Sequence, residues 1–314
     1  MAIHPEMRAQ FFGTIGRQFN RCLSADMTCE RSAIRAHSVQ NAGALDLICR
    51  DGHVICPTIR ARGDDPPVID FTPVGRNKAT TFSGLCSEHD REIFREIDTN
   101  PVDVTNPLHL YLLANRSILR ELHATMDGAS KIQSAYMKRV ELGLDPKDHP
   151  SPAGMEAISH MLKAWRTYRY RCKLDEVQGN LGRLKSHARV LTTDMPRLAA
   201  SIFFGVGDYT DDEDVVGAFV NVVPLSQEQT AVAVSYLDDH AEHCDPFFAD
   251  LFQANNEEFK AQLSGIIIRY ADNFAINPEY FDGWPEEMKE RLRGLFVRTL
   301  FNGEAVEVDG ILLL

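Results

Sequence analysis

Apolar positions change their period along the chain, and each change marks a different kind of structure. Over residues 108–126 they recur every three to four positions with polar residues between, the pattern of an amphipathic helix, and residues 155–174 repeat it. Residues 187–191, 199–204, 217–223 and 230–236 instead run apolar in short stretches between acidic or turn-rich pieces, which predicts strands. Helical spacing returns at 256–272 and 285–300. The first hundred residues differ again. Short apolar pieces at 33–36 and 53–56 predict strands, with Gly52, Gly63, Pro66, Pro67, Pro73 and Gly75 as punctuation. Ile93, Phe94 and Ile97 then predict a helix over 86–97.

These elements imply an α+β fold with two parts. Residues 1–103 form an N-terminal module, and residues 104–314 form a larger domain that is helical over 104–185 and mixed strand and helix over 186–314. The best-marked break carries Asn100-Pro101 and Asn106-Pro107. Residues 143–152 form a polar, proline-containing loop between the two long helices, and the sequence has no internal repeat. Residues 273–281 read as a helix end running into a proline-led turn with packed aromatics. The terminal Ile311-Leu312-Leu313-Leu314 reads as a packed or strand-paired end.

Composition changes this picture little. With 314 residues, 44% hydrophobic and 25% charged, the chain can bury a core without help from metal or disulfides, so a bound metal would meet a local need. No run approaches the roughly 18–20 apolar residues that span a bilayer, so no membrane partner is expected. Residues 1–20 lack the layout of a secretion signal. Seven cysteines form no evident disulfide framework, which predicts a reduced, cytoplasmic protein.

Charge is uneven. Residues 1–100 carry 12 basic and 13 acidic side chains, residues 101–200 carry 15 and 10, and residues 201–314 carry 6 and 22. The acidic last third repels nucleic acid, whereas the middle third tolerates it.

The strongest chemical signal is Cys22-x6-Cys29 followed by Cys86-x2-His89. Thiolate and imidazole are the usual donors of a tetrahedral structural zinc. A C-x2-H pair at a helix start reaches one ion from a single turn, a looser pair arrives from a loop, and the strands between suit a treble-clef-like zinc module. Cys49 and Cys56 are possible substitutes for the first pair, and individually buried cysteines are the plain alternative. His240-x2-His243-Cys244 holds further ligand types but lacks a second pair, and reads as polar surface.

The first region resembles the HNH, or His-Me finger, endonuclease family. Residues 33–37, Ala-Ile-Arg-Ala-His, resemble its strand ending in a catalytic histidine. Residues 81–90, Thr-Phe-Ser-Gly-Leu-Cys-Ser-Glu-His-Asp, resemble the start of its last helix. The resemblance implies His37 as the general base that activates water and Asp90 as a holder of Mg²⁺ on the scissile phosphate. The sequence departs from that family in having Thr81 where asparagine is usual and aspartate at the metal position, and in its long span from His37 to Cys86. It is also similar to a set of bacterial proteins with an AHS-type strand end and a C-x2-HD helix start, so a degenerate, non-catalytic finger is a serious alternative. Without the resemblance, His37 reads as a turn residue bonded to backbone, and Asp90 as a first-turn acid favoured by the helix dipole.

Trp165, Arg166, Tyr168, Arg169 and Arg171 form the densest mixture of aromatic and basic residues, the best candidate surface for a nucleic-acid partner. An amphipathic helix with snorkelling arginines explains the same residues without a ligand. Gly205-Val206-Gly207-Asp208 lacks the strand-turn-helix context of a phosphate loop, and the acidic run 211–214 reads as a solvated loop. Two functions follow. The first is a zinc-binding protein whose finger is structural and whose C-terminal domain binds or senses a ligand. The alternative is an HNH-like metal-dependent nuclease that cleaves DNA or RNA.

Overall fold

The computed structural model describes residues 19–25, 27–60, 68–207, 214–300, 304, 308 and 310–314. Residues 1–18, and 208–213 with most of the acidic run, lie outside the described residues. The fold is mixed α and β. Its frame is a seven-stranded antiparallel sheet in the order β3-β2-β9-β6-β7-β8-β5, where β2 is His53–Arg60, β3 Val68–Gly75, β5 Leu184–Thr192, β6 Leu198–Gly205, β7 Gly217–Pro224, β8 Gln229–Leu237 and β9 Phe274–Ile276. A separate two-stranded pair joins β1 (Ala36–His37) to β4 (Thr81–Phe82).

The central strands β6 and β7 are buried almost end to end because helices cover both faces. Alternation sorts their side chains. Ala200, Ile202 and Phe204 face a core shared with α4 (Ala241–Gln253), α5 (Asn256–Tyr270), α7 (Glu286–Leu300) and the chain end, where Ile311, Leu313 and Leu314 are buried. Ala199, Phe203 and Phe219 face a second core, shared with α1 (Ser87–Thr99), α2 (Pro107–Glu141) and α3 (Pro152–Val177). Helices α2 and α3 each begin with a capping side chain and proline in the first turn. Asn106 accepts from the Leu108 backbone N–H, and Ser151 from that of Gly154. The Asn106-Pro107 break is therefore a helix start, and α2 runs on to Glu141, well beyond the expected 126. No helix among the described residues is long and apolar enough to cross a membrane.

Two regions differ from their sequence reading. Residues 274–276, expected as a helix end running into a proline-led turn, form β9, and the proline-led piece follows as the short helix α6 (Pro278–Asp282). Strand β9 pairs with β6 on one side and with β2 on the other, through Ile55 opposite Ile276. The sheet thus runs across the boundary expected at 103/104. The cluster at 240–244 is divided: Cys244 and His240 are buried, with His240 against the Tyr170 ring at 5.4 Å, whereas His243 is exposed.

Ile276 sits opposite both Ile55 of β2 and Leu198 of β6 and is fully buried. Replacing it with alanine leaves a cavity at the seam of the sheet. Ile276→Ala is expected to lower the unfolding free energy by about 2–5 kcal/mol, measured by urea titration.

Candidate metal centre

Helix α1 opens at Cys86, which stands at the N-cap with extended backbone, and His89 lies one turn on, so both side chains emerge at the helix N-terminus. The other pair comes from a segment without regular secondary structure. There a tight turn is closed by the Met27 N–H on the Ser24 carbonyl at 2.8 Å, with Met27 at φ +56°. Backbone bonds hold this segment to the approach of α1: Leu23 N–H donates to the Gly84 carbonyl (2.7 Å) and Ile34 N–H to the Leu85 carbonyl (2.8 Å). Gly84 is required here, because a Cβ would meet the Phe82 ring at 2.3 Å.

These restraints bring the Cys22, Cys29 and Cys86 sulfurs and a His89 ring nitrogen within 4.8 Å of one another. Cys22 Sγ lies 3.3 Å and Cys86 Sγ 3.5 Å from His89 Nδ1, and Cys29 Sγ lies 4.0 Å from Cys86 Sγ. A tetrahedral zinc with Zn–S near 2.3 Å and Zn–N near 2.0 Å holds its donors roughly 3.5–3.8 Å apart. The four groups stand close to that spacing, and three soft sulfurs with one imidazole are a donor set suited to zinc. Burial raises the pKa of Cys22. Burial also opposes the Cys86 thiolate, yet the His89 backbone N–H, the Cys22 and Cys29 side chains and the charge of His89 leave its pKa below the ordinary thiol value. The Cys86 backbone N–H donates to Cys22 Sγ at 3.2 Å, a bond that orients a sulfur donor from behind. All seven cysteines are free. The substitutes stay apart from the group: Cys49 lies beside Asp46, and Cys56 is buried in β2 with its thiol pushed up to about 12 by desolvation.

His37 ends β1, paired across to Thr81 of β4, and its Nδ1 lies 2.9 Å from the Ala79 carbonyl. That contact places the proton on Nδ1 and leaves Nε2 with its lone pair. Burial depresses the His37 pKa, with the Arg116 and Arg76 charges adding to the shift while Ala79 and Asp98 oppose it. Asp90 follows His89 on α1. Burial raises its pKa, Asp98 adds to this, and Arg116 opposes it. His37 and Asp90 thus share two charges, that of Asp98 and that of Arg116. Arg116 is buried on α2, pairs with both Asp98 oxygens at 2.9 and 2.8 Å, and stacks 4.1 Å over the Phe94 ring.

The three arginines expected to form a nucleic-acid surface divide. Arg171 is buried rather than exposed: its Nε donates to Asp175 at 2.8 Å and its Nη1 to the Leu23 carbonyl at 3.0 Å, beside Cys22. It is an anchor of the cysteine segment, because α3 turns this side chain inward against the first region. Arg169 pairs with Asp214 at 2.8 Å, and Arg166 borders a cavity that also holds Glu121, Lys163 and Asp272. Neither Arg116 nor the anchoring role of Arg171 was foreseen from sequence. The available signal was Asn115-Arg116-Ser117 inside the otherwise apolar run 110–119, because a charge at a core position requires a buried partner.

No protein-family model, curated protein or solved structure matches this chain.

His37, His123 and His240 all have pKa values depressed below the ordinary 6.5, chiefly by burial. The folded chain therefore binds fewer protons here than the unfolded chain once the pH drops below 6.5, and acid favours unfolding. Urea midpoints are expected to fall as the pH is lowered from about 7.5 to 5.5, and His37→Gln is expected to flatten that fall.

Proposed function

We propose that Cys22, Cys29, Cys86 and His89 hold a structural zinc ion in a treble-clef-like module. The ion fastens the irregular segment 19–35 to the start of α1. The observation that carries this reading is the convergence of four donors within 4.8 Å from two places more than fifty residues apart. Closed sites with four protein donors serve structure, since no position is left for a substrate or water. The zinc would supply a crosslink and neutralise clustered thiolates, in a segment with too little regular structure to order itself. On this reading the larger domain binds or senses a ligand.

Purified protein is expected to contain about one zinc per chain by elemental analysis, and Cys86→Ser to lose most of it. A stoichiometry near zero in the unsubstituted protein defeats the reading. Chelation is expected to lower the thermal midpoint of the unsubstituted protein and leave Cys86→Ser unaffected.

A second reading rests on a different observation. Strands β1 and β4 pair, α1 follows β4 directly, and His37 presents Nε2 from the end of the first strand with its tautomer set by Ala79. This is the arrangement expected of an HNH-like nuclease, with His37 as general base and Asp90 as metal-holding acid. A depressed pKa keeps the imidazole neutral and able to accept a proton from water near neutral pH. A divalent ion held at Asp90 would supply charge neutralisation at a phosphodiester. Thr81 in place of asparagine weighs against this reading, as does the Arg116 guanidinium, whose charge disfavours a second cation nearby. Incubation with DNA and RNA in Mg²⁺ or Mn²⁺ decides it: cleavage lost in His37→Ala supports the nuclease, and absent or undiminished cleavage excludes this base.

A further inference from the structure

A cavity of about 340 Å³ lies between α1, α2 and α3, and Ala25 of the cysteine segment closes part of its wall. Its polar groups are mostly acceptors. Asn115 is 2% exposed, and its Nδ2 donates to the Tyr111 hydroxyl at 3.1 Å and toward Asp175 Oδ1 at 3.4 Å. Its Oδ1 is buried with no hydrogen-bond partner. A buried amide oxygen left unpaired costs about 1–3 kcal/mol, so this atom calls for a donor that the protein does not provide.

The charges around it agree. Asp175 accepts from Arg171 Nε and from Asn115 on the same oxygen, Oδ1. Arg171 is committed to Asp175 and to the Leu23 carbonyl. Glu92 and Glu96 add two carboxylates to the lining, against Arg95 and the Arg171 already paired with Asp175. Ile93, Leu108 and Leu112 supply the apolar part of the wall. The space is many times that of a bare metal ion and falls at the small end of organic-ligand sites.

We propose that this cavity binds a small alkyl amine, with its ammonium donating to Asn115 Oδ1 and Asp175 and its hydrocarbon chain against Ile93, Leu108 and Leu112. The site is independent of the nuclease reading and of the metal. Its ligand touches the same helix that anchors Leu23, so occupancy stiffens the attachment of the cysteine segment.

Isothermal titration of the full chain with 1,4-diaminobutane tests it, with butanoate as a chain-matched anion and Mg²⁺ as a bare cation. Saturable binding of the diamine at one site per chain is expected, with none for butanoate. Asn115→Leu replaces the amide with an apolar side chain of the same branching and is expected to weaken binding about tenfold or more. Glu92→Gln, on the exposed side of α1, is expected to weaken it severalfold while leaving the urea midpoint unchanged. The acidic chain, at a net charge of −12, attracts any polycation. Diamine binding that is indifferent to both substitutions, or matched by Mg²⁺, is that general attraction and overturns the proposal. Absence of diamine binding, or binding of butanoate, overturns it equally.

Discussion

Three thiols and an imidazole gathered within 4.8 Å impose the constraint on which the first region depends. Thiolates repel one another, and thiols offer only weak hydrogen bonds, so such a cluster has little reason to form for its own sake. Among the described residues, no helix or strand precedes β1 to hold the segment that carries Cys22 and Cys29. Its order comes from a few backbone bonds to Gly84 and Leu85, from Arg171 on the Leu23 carbonyl, and from the donor cluster itself. An ion at the centre would turn mutual repulsion into the strongest attachment in the region.

Two buried arginines carry that local order into the body of the protein. Arg116 of α2 reaches Asp98 and Phe94 of α1, and Arg171 of α3 reaches Leu23. A buried guanidinium is costly unless its charge is paired, and losing one partner of such a pair typically destabilises by about 3–5 kcal/mol. These residues therefore fix how the long helices sit against the first region more narrowly than apolar packing does. Ser38, beside His37, is tied to the sheet in the same manner, accepting from Asn273 Nδ2 at 2.7 Å. Each of these contacts joins a residue near the donor cluster to one that lies far along the chain or on another helix.

Much of the secondary structure was legible because it rests on local signals. The periods of 108–126 and 155–174 mark the two long helices, and the apolar runs of 199–204 and 217–223 mark strands. The Cys86–His89 pair was legible for the same reason, since its spacing is one helical turn. What was not legible depends on distant partners. Residues 274–276 carry too few positions to show a period, and only β2 and β6 on either side make them a strand. Arg171 looked like a surface arginine because its sequence neighbours are polar or aromatic, and nothing local shows that α3 turns it inward. The choice of Cys22 and Cys29 over Cys49 and Cys56 likewise depends on which loop reaches α1.

The position of β9 has a consequence for the order in which the molecule can be made. Synthesis runs from the N-terminus, so β2 and β3 emerge early and can pair with each other at once. Among the described residues their one further neighbour in the sheet, β9, emerges about two hundred residues later. Until then one edge of β2 stays open, and Ser38 lacks its bond from Asn273. A nascent chain of this protein thus carries an unpaired strand edge while the residues between β3 and β9 are made, the kind of surface that chaperones shield. The strands of the first region are therefore completed only by a segment made long after them.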